Sequence, residues 1–163
     1  MSSSNEVLRL PVRRPVGLLR LLWARPSAAV PPVSWRVVAT VLIVAGAAAT
    51  AWSGVVHLKL WHEDNGYAQV AVVGKLFLLQ GIGCLILALG AIVLRRFAVV
   101  IAGAALMASS VGGLVLSLRG ELFGYHEFSD SPYVVPSLVL ESAAVVAFVA
   151  SFVIALVTSR SSA

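Results

Sequence analysis

Six side chains grouped near one end of the apolar segments could carry chemistry in this sequence. They are His57, Lys75, Gln80, His126, Glu127 and Glu141. Imidazole and carboxylate groups brought together can transfer protons or bind a metal ion. The sequence patterns of phosphate-binding loops, dinucleotide folds, zinc proteases and serine hydrolases do not occur. The six residues therefore specify no reaction, and we predict no catalytic residue and no cofactor.

Glu141 lies about two helical turns inside the last of four apolar segments. A carboxylate at that depth costs about 2.5–3.5 kcal/mol on insertion scales, so we expect it to face other helices. His57 and Lys75 enter the membrane from the same side and are its expected partners. The group is then either a buried ion pair that fixes helix register or a proton- or metal-handling site. In the second case His126 or Glu127 would close the site from the adjoining loop.

A metal site would need His57 together with His62 or His126. Residues 57 and 62 are five apart, so their side chains point away from each other on one continuous helix. The single cysteine, Cys84, forms no CxxC pair and is interpreted as a packing residue. An axial haem ligand would have to lie well inside the membrane, and only His57 comes near that position. Histidine spacing alone favours neither a zinc site nor a haem.

The elements that position these residues follow from a composition suited to lipid. The chain is 60% hydrophobic and 12% charged, whereas soluble domains are about 25% charged. Four apolar segments, at about 37–60, 70–94, 97–118 and 134–157, each have roughly the 20 residues that cross a bilayer. We predict an all-α fold, a four-helix membrane bundle over residues 35–160. A basic tail rich in Pro and Arg, residues 1–34, precedes it.

The distribution of basic residues predicts how the bundle is oriented. The tail with Arg36, the Arg95-Arg96 turn and Arg160 lie on one side and hold nine of the twelve Lys and Arg residues. By the positive-inside rule, both termini are cytoplasmic in a multi-pass protein of a bacterial inner membrane. The pI is about 10.2. We expect the basic residues to contact an anionic membrane surface and not a nucleic acid.

Part of the tail could form a short interfacial helix. In VGLLRLLWAR the residues Leu18, Leu19, Leu22 and Trp23 would share one apolar face and lie among the lipid headgroups. The alternative is an unstructured basic tail.

Small residues predict which helix faces meet, because helices in lipid associate by close approach. Each stripe has spacings of three and four: Gly46, Thr50, Ser53 or Gly54 and His57 on the first helix; Ala104, Ala108 and Gly112 on the third; Ala143, Ala147 and Ser151 on the fourth. Trp52, in the interior of the first helix, is predicted to pack inside the bundle.

Several motifs resemble those of a family of uncharacterised four-helix membrane proteins of actinobacteria. An HLxLW stretch begins at His57, a Gly66-Tyr67 pair follows, and GxLFLLQ begins at Gly74; the later LFGxxE pattern ends at Glu127. The resemblance covers roughly residues 37–157 and implies a four-helix membrane fold without an assigned activity. The helix plan is also similar, more loosely, to DoxX-like proteins.

Three functions are compatible with these residues. The first is a non-enzymatic accessory or assembly subunit of an inner-membrane complex, whose partners are the bilayer and other membrane subunits or further copies of the chain. The second is a small redox- or metal-binding membrane protein with an outward-facing His/Glu site. The third is a proton-coupled transporter, for which four helices leave little room for a pathway unless the chain oligomerises.

Overall fold

Five helices account for most of the structure, a computed structural model that describes residues 18–25, 33–63 and 67–161. A short helix, α1 (Leu18–Trp23), is followed by four long apolar helices. These are α2 (Val33–His62), α3 (Val73–Val93), α4 (Phe97–Arg119) and α5 (Val134–Ser161). The all-helical architecture with four membrane-length helices is thereby confirmed. Most of the tail lies outside the described residues, as do residues 64–66 between α2 and the 3₁₀ helix.

The helix boundaries differ from the apolar segments mainly at three ends: α2 begins about four residues earlier, α5 ends about four residues later, and α3 begins later than predicted. That helix begins at Val73, not Val70, because a short 3₁₀ helix, Tyr67–Gln69, and a turn precede it. The amide of Gly74 donates to the Val70 carbonyl at 2.8 Å, which joins the turn to the helix. Tyr67 is thus held directly above the entry of α3.

Helix α1 packs against the bundle at the arginine end, which we define as the end that contains Arg95 and Arg96. Arg96 donates from Nη1 to the Trp23 carbonyl at 2.6 Å, and its guanidinium lies 5.7 Å from the Trp23 ring centroid. Leu21 is the buried residue of α1, whereas Leu19 and Trp23 are exposed. Of the two alternatives left open for this stretch, the structure has the short helix, and Leu21, which was not assigned to its apolar face, makes the contact with the core.

The half of the bundle near the arginine end is closely packed around one aromatic ring. Phe148 of α5 is 1% exposed. A Cβ atom added at Gly46 of α2 would lie 2.7 Å from its ring, and one added at Gly103 of α4 would lie 2.9 Å from it. Glycine is required at both positions because the ring occupies the space of a side chain.

Helices α2 and α3 also approach each other through glycine, near the middle of the membrane segment. A Cβ added at Gly54 would lie 2.9 Å from the Gly81 carbonyl oxygen, and one added at Gly81 would lie 2.6 Å from Leu58. All the members of the small-residue stripe predicted on α2 are buried: Gly46, Thr50, Ser53, Gly54 and His57.

The stripes predicted on the other two helices are confirmed only in part, because Ala104 and Ser151 are buried whereas Ala143 is exposed. On α4, Ala104 is buried but Ala108 and Gly112 are exposed. On α5 the residues that are buried recur at spacings of three and four: Glu141, Ala144, Phe148, Ser151 and Ala155. Glu141 faces inward, and residues at successive spacings of three and four positions lie on the same face of the helix.

Trp52 was also placed wrongly by the sequence. Its side chain is 63% exposed on the outer face of α2. An apolar ring in the middle of a membrane helix is stable against lipid, so burial within the protein is not required.

Adjacent alanines on α5 provide a matched test of this register. We expect Ala144→Leu to destabilise the bundle by about 1–3 kcal/mol, because Ala144 is fully buried and added atoms must overpack the core. Ala143→Leu faces outward and should leave stability nearly unchanged. Denaturant unfolding in detergent micelles measures both. Equal effects of the two substitutions would contradict the observed rotation of α5.

Candidate functional site

A cavity of about 670 Å³ occupies the half of the bundle opposite the arginine end. We call this the lid end, because the 3₁₀ helix Tyr67–Gln69 and the loop 120–133 lie over it. The walls come from all four long helices and are mostly apolar. Leu76 and Leu79 of α3 and Gly112 and Leu116 of α4 line the cavity and are also exposed. The cavity therefore has a lateral opening between α3 and α4, on the side of the bundle that would contact lipid.

Glu141 forms part of the inner wall of the cavity and is completely buried. Its Oε1 atom accepts hydrogen bonds from Ser53 Oγ at 2.7 Å and Ser110 Oγ at 3.0 Å. Its Oε2 atom has no hydrogen-bond partner within the part of the chain that the structure describes. One carboxylate oxygen is thus doubly satisfied and the other is left without a donor, which is a costly arrangement for a buried polar atom.

His57 is held beside Glu141 by its own helix. Its Nδ1 atom lies 2.9 Å from the backbone carbonyl of Ser53, one turn earlier. Because a carbonyl oxygen only accepts, Nδ1 carries the hydrogen of this bond. The Nε2 atom then lies 3.9 Å from Glu141 Oε1 and 3.5 Å from Ser110 Oγ. The ring also packs on Phe77, with 4.9 Å between centroids.

A second carboxylate, Glu127, closes the cavity at the lid end. The hydroxyl of Tyr67 donates to Glu127 Oε2, and the hydroxyl of Tyr125 lies 3.4 Å from the same atom. The Phe128 amide donates to the other oxygen at 3.2 Å. We call Tyr67, Tyr125 and Glu127 the cap. Burial, and then the hydrogen bond to Glu127, raise the pKa of Tyr67 well above its ordinary value, so Tyr67 remains a donor.

The loop 120–133 folds back because of a tight turn within it. Leu122 and Tyr125 exchange two backbone hydrogen bonds, and the residues between them, Phe123 and Gly124, both have positive φ. Such a two-residue reversal is the usual hairpin geometry, in which glycine is favoured. The amide of Glu127 then donates to the Ser117 carbonyl at 3.1 Å, which fixes Glu127 over the end of α4.

A second cavity, of about 490 Å³, lies on the other side of the cap. Tyr67, Tyr125, Glu127 and Ser131 line both cavities, and Asp130 lines the second. The cap therefore separates two cavities of the lid end: the first lies among the four long helices, and the second is an acidic space outside the cap.

The structure brings together some of the six predicted residues and separates the others. His57 and Glu141 converge, Glu127 closes the same cavity, and Gln80 lines it while its Nε2 lies 3.4 Å from the Leu106 carbonyl. Lys75 is exposed at the start of α3 and is not a partner of Glu141. His126 is also exposed, with its Nδ1 2.9 Å from the Gly120 carbonyl.

The histidines do not assemble around a common point. His62 is exposed at the end of α2, whereas His57 is buried. Among the described residues, no group of three or more His, Cys, Asp or Glu side chains is placed to hold a metal ion.

Four residues of the site were not among the predicted candidates. Ser53 was assigned only to a packing stripe, and Ser110, Tyr67 and Tyr125 were given no role in it. A serine inside a membrane helix needs a hydrogen-bond partner, either its own helix or a neighbour. That signal could have directed Ser110 and Ser53 toward Glu141, but only tertiary packing distinguishes them from Ser109, which bonds to its own helix at 2.7 Å.

Comparison of the chain with protein-family models, with curated proteins and with solved structures gave no match. The four described helices define an integral membrane protein, and its candidate site is a membrane-depth cavity containing a buried carboxylate.

The cap provides the next test, through Tyr67→Phe. Because a hydrogen bond to a charged group contributes about 1.5–3 kcal/mol, we expect the variant to open the loop 120–133 more often. Amide hydrogen exchange across residues 120–133 should rise about tenfold or more. Tyr133→Phe, which removes only the exposed bond from Lys59 at 2.9 Å, is the matched control and should change exchange little.

Burial of the two cap tyrosines, and then their interaction with Glu127, determine how the cap responds to alkali. Because the pKa values of Tyr67 and Tyr125 are raised in the folded cap, the folded state holds their protons more tightly than the open state. Stability from this source is fully present below the ordinary tyrosine pKa of about 10 and is lost as the pH rises above it. Loop exchange that stays unchanged in alkali, after correction for its intrinsic pH dependence, would contradict the role of these hydroxyls.

Proposed function

We propose that this integral membrane protein binds a small, largely apolar molecule in the cavity at the lid end, without transforming it. The observation that carries the proposal is the unpartnered Oε2 of Glu141, buried in the wall of a space of about 670 Å³. Ligand cavities are generally of about 300–1,000 Å³, mostly apolar, with a few polar groups that orient the ligand. The site has this size and this composition.

The opening of the cavity supports a ligand that arrives through the membrane. Exposed residues of α3 and α4 form its mouth at membrane depth, so an apolar molecule dissolved in lipid could enter without crossing water. Serine, histidine and carboxylate groups at the inner wall would then bind its polar part. His57 and Glu141 provide hydrogen-bonding groups for recognition, and the proposal assigns them no reaction.

The location and orientation belong to the same proposal. We place the protein in a bacterial inner membrane with both termini in the cytoplasm, because the tail, Arg36, the Arg95-Arg96 turn and Arg160 carry most of the positive charge. The lid end, with Glu127 and Asp130, would then face outward. The likeness to the actinobacterial four-helix family is part of this proposal and rests on the sequence motifs alone.

Photolabelling with a neutral phenyl-diazirine probe tests the binding proposal. We expect labelling of residues around the cavity, such as Leu106 and Leu114, to be saturable by excess unlabelled probe. Gly112→Phe should abolish that saturable part, because a Cβ at Gly112 meets no atom within 4 Å and the ring can fill the cavity. Peptide mass spectrometry locates the labels.

Val146→Phe is the matched control, since it places the same ring at an exposed position of α5 outside the cavity. Labelling at lipid-facing positions should be non-saturable in every variant and provides an internal standard. Uniformly non-saturable labelling of the wild-type cavity residues would mean that the cavity binds nothing and would overturn the proposal.

An accessory or assembly role within a larger membrane complex is the second candidate function. The observation that favours it is the small residues that α4 and α5 turn outward, including Ala108 and Ala143. Small outward residues allow another membrane helix to approach closely.

Native mass spectrometry of gently solubilised membranes tests this role. We expect a stoichiometric partner or a second copy, and we expect Ala108→Leu to weaken its retention. A monomer throughout the extraction series would contradict the accessory role while leaving ligand binding intact.

Redox or metal chemistry and proton-coupled transport draw less support from the geometry. His57 and Glu141 are of the residue types that can ligate a metal. Among the described residues, no third His, Cys, Asp or Glu is placed to complete a site with them. Transport has one supporting feature, the second cavity beyond the cap.

A further inference from the structure

The charges around the two cavities have one sign. Glu141 and Glu127 line the membrane-depth cavity, and Glu127 and Asp130 line the second. Among the described residues that line either cavity, none is a lysine or an arginine. A buried carboxylate is stabilised by hydrogen-bond donors, and a proton or a positive charge is needed to compensate the charge that those donors leave. The walls supply carboxylates without their own fixed counter-ions.

His57 is the basic group in the wall, and its geometry gives Glu141 an ion-pair contact at the limit of distance and no hydrogen bond. Its Nδ1 hydrogen is committed to the Ser53 carbonyl at 2.9 Å. Its Nε2 atom lies 3.9 Å from Glu141 Oε1, too far for the hydrogen bond that an imidazolium would make there. Nε2 lies nearer to Ser110 Oγ, at 3.5 Å, and the imidazole makes no close hydrogen bond to Glu141.

The lysines at this end of the bundle are also engaged or remote. The Lys59 ammonium lies 2.9 Å from the Tyr133 hydroxyl and 3.5 Å from Glu63 Oε1, outside the cavity lining. Lys75 is exposed and does not line the cavity. Apart from His57, no basic residue of the described lining can compensate Glu141, so a proton or the occupant must supply the remaining positive charge.

We propose, resting on the binding function above, that the occupant is an apolar cation whose charge is compensated by Glu141. The ligand class is a lipophilic amine, quaternary ammonium or phosphonium compound. The carboxylate supplies the counter-charge, with Oε2 free to accept an N–H where the cation has one. Aromatic faces attract cations as well, and Phe77, Tyr67 and Tyr125 line the same space.

The arrangement of rings supports this ligand class. Tyr67 and Phe77 are stacked with 4.0 Å between centroids, and Tyr125 meets Tyr67 edge-on at 5.4 Å. Phe77 in turn packs on His57 beside Glu141. The rings thus extend from the cap to the buried carboxylate, and an apolar cation would contact aromatic surface and negative charge together.

The second cavity supports it from the other side of the cap. Its carboxylates, Glu127 and Asp130, concentrate cations at the lid end and disfavour anions. A neutral ligand would gain nothing from that charge. Both cavities therefore favour a ligand with a positive charge, the second cavity at the surface and the first at membrane depth.

A competition experiment on the full chain in detergent tests the inference. The neutral diazirine photoprobe labels the cavity, and tetraphenylphosphonium or its neutral analogue tetraphenylsilane is added to protect it. We expect Glu141→Gln to raise the phosphonium concentration needed for protection about tenfold or more, and to leave protection by the silane unchanged. The comparison between proteins in one detergent cancels the partitioning of each compound into micelles.

Glu63→Gln is the control, since it removes an exposed carboxylate outside the cavity and should change neither protection curve. Gln80→Lys adds an ammonium to the lining and should exclude the phosphonium while admitting the silane. Gln80→Met controls for the change of shape. These two variants keep the inference testable where Glu141→Gln fails to fold, which loss of saturable photolabelling would reveal.

The outcomes separate the inference from the function on which it rests. Saturable photolabelling with no effect of Glu141→Gln or Gln80→Lys on phosphonium protection would overturn the cation and leave the binding function standing. Absence of saturable labelling in the wild type would overturn both. Selective loss of phosphonium protection in either variant, with the silane unaffected, would establish the cation.

Discussion

The structure depends on the burial of one carboxylate in the membrane. Glu141 can be accommodated only where hydroxyl donors meet it, and Ser53 of α2 and Ser110 of α4 supply them at 2.7 and 3.0 Å. Those two bonds tie three helices together at one depth. They also set the rotation of α5, because once Glu141 faces inward, Ala144 and Phe148 must follow on the same face.

The bundle is closed on one side of that carboxylate and open on the other. Toward the arginine end, Gly46 and Gly103 leave the space that Phe148 fills, so α2, α4 and α5 pack closely there. Toward the lid end, the exposed glycine Gly112 has no neighbour within 4 Å of an added Cβ. Glycine thus has two opposite uses here: beside an aromatic ring it permits close packing, and without one it leaves a cavity.

The residues of the candidate site were predictable where the cost of exposing a charge to lipid turns a side chain inward. They were not predictable where the conformation of a loop sets the position of the side chain. Glu141 had to face the bundle because of its charge, and His57 ended a stripe of small residues on the facing helix. Lys75 was expected beside them, yet a long side chain near a helix end can reach solvent instead. His126 and Glu127 are neighbours in sequence, and the fold of the loop buries Glu127 and exposes His126.

The sequence by itself determined that lipid surrounds the helices, how many of them span the membrane, and that one carboxylate faces inward. These features follow from hydropathy and from the energy of burying a charge, which act locally. The sequence left open whether the tail contains the short helix that the structure has at Leu18–Trp23. Only the tertiary structure decided the register of α4 and α5, the outward position of Trp52 and the assembly of the cap over Glu141. These features depend on which surfaces meet, and in lipid alanine and leucine are equally soluble on either face, so local pattern does not distinguish the faces.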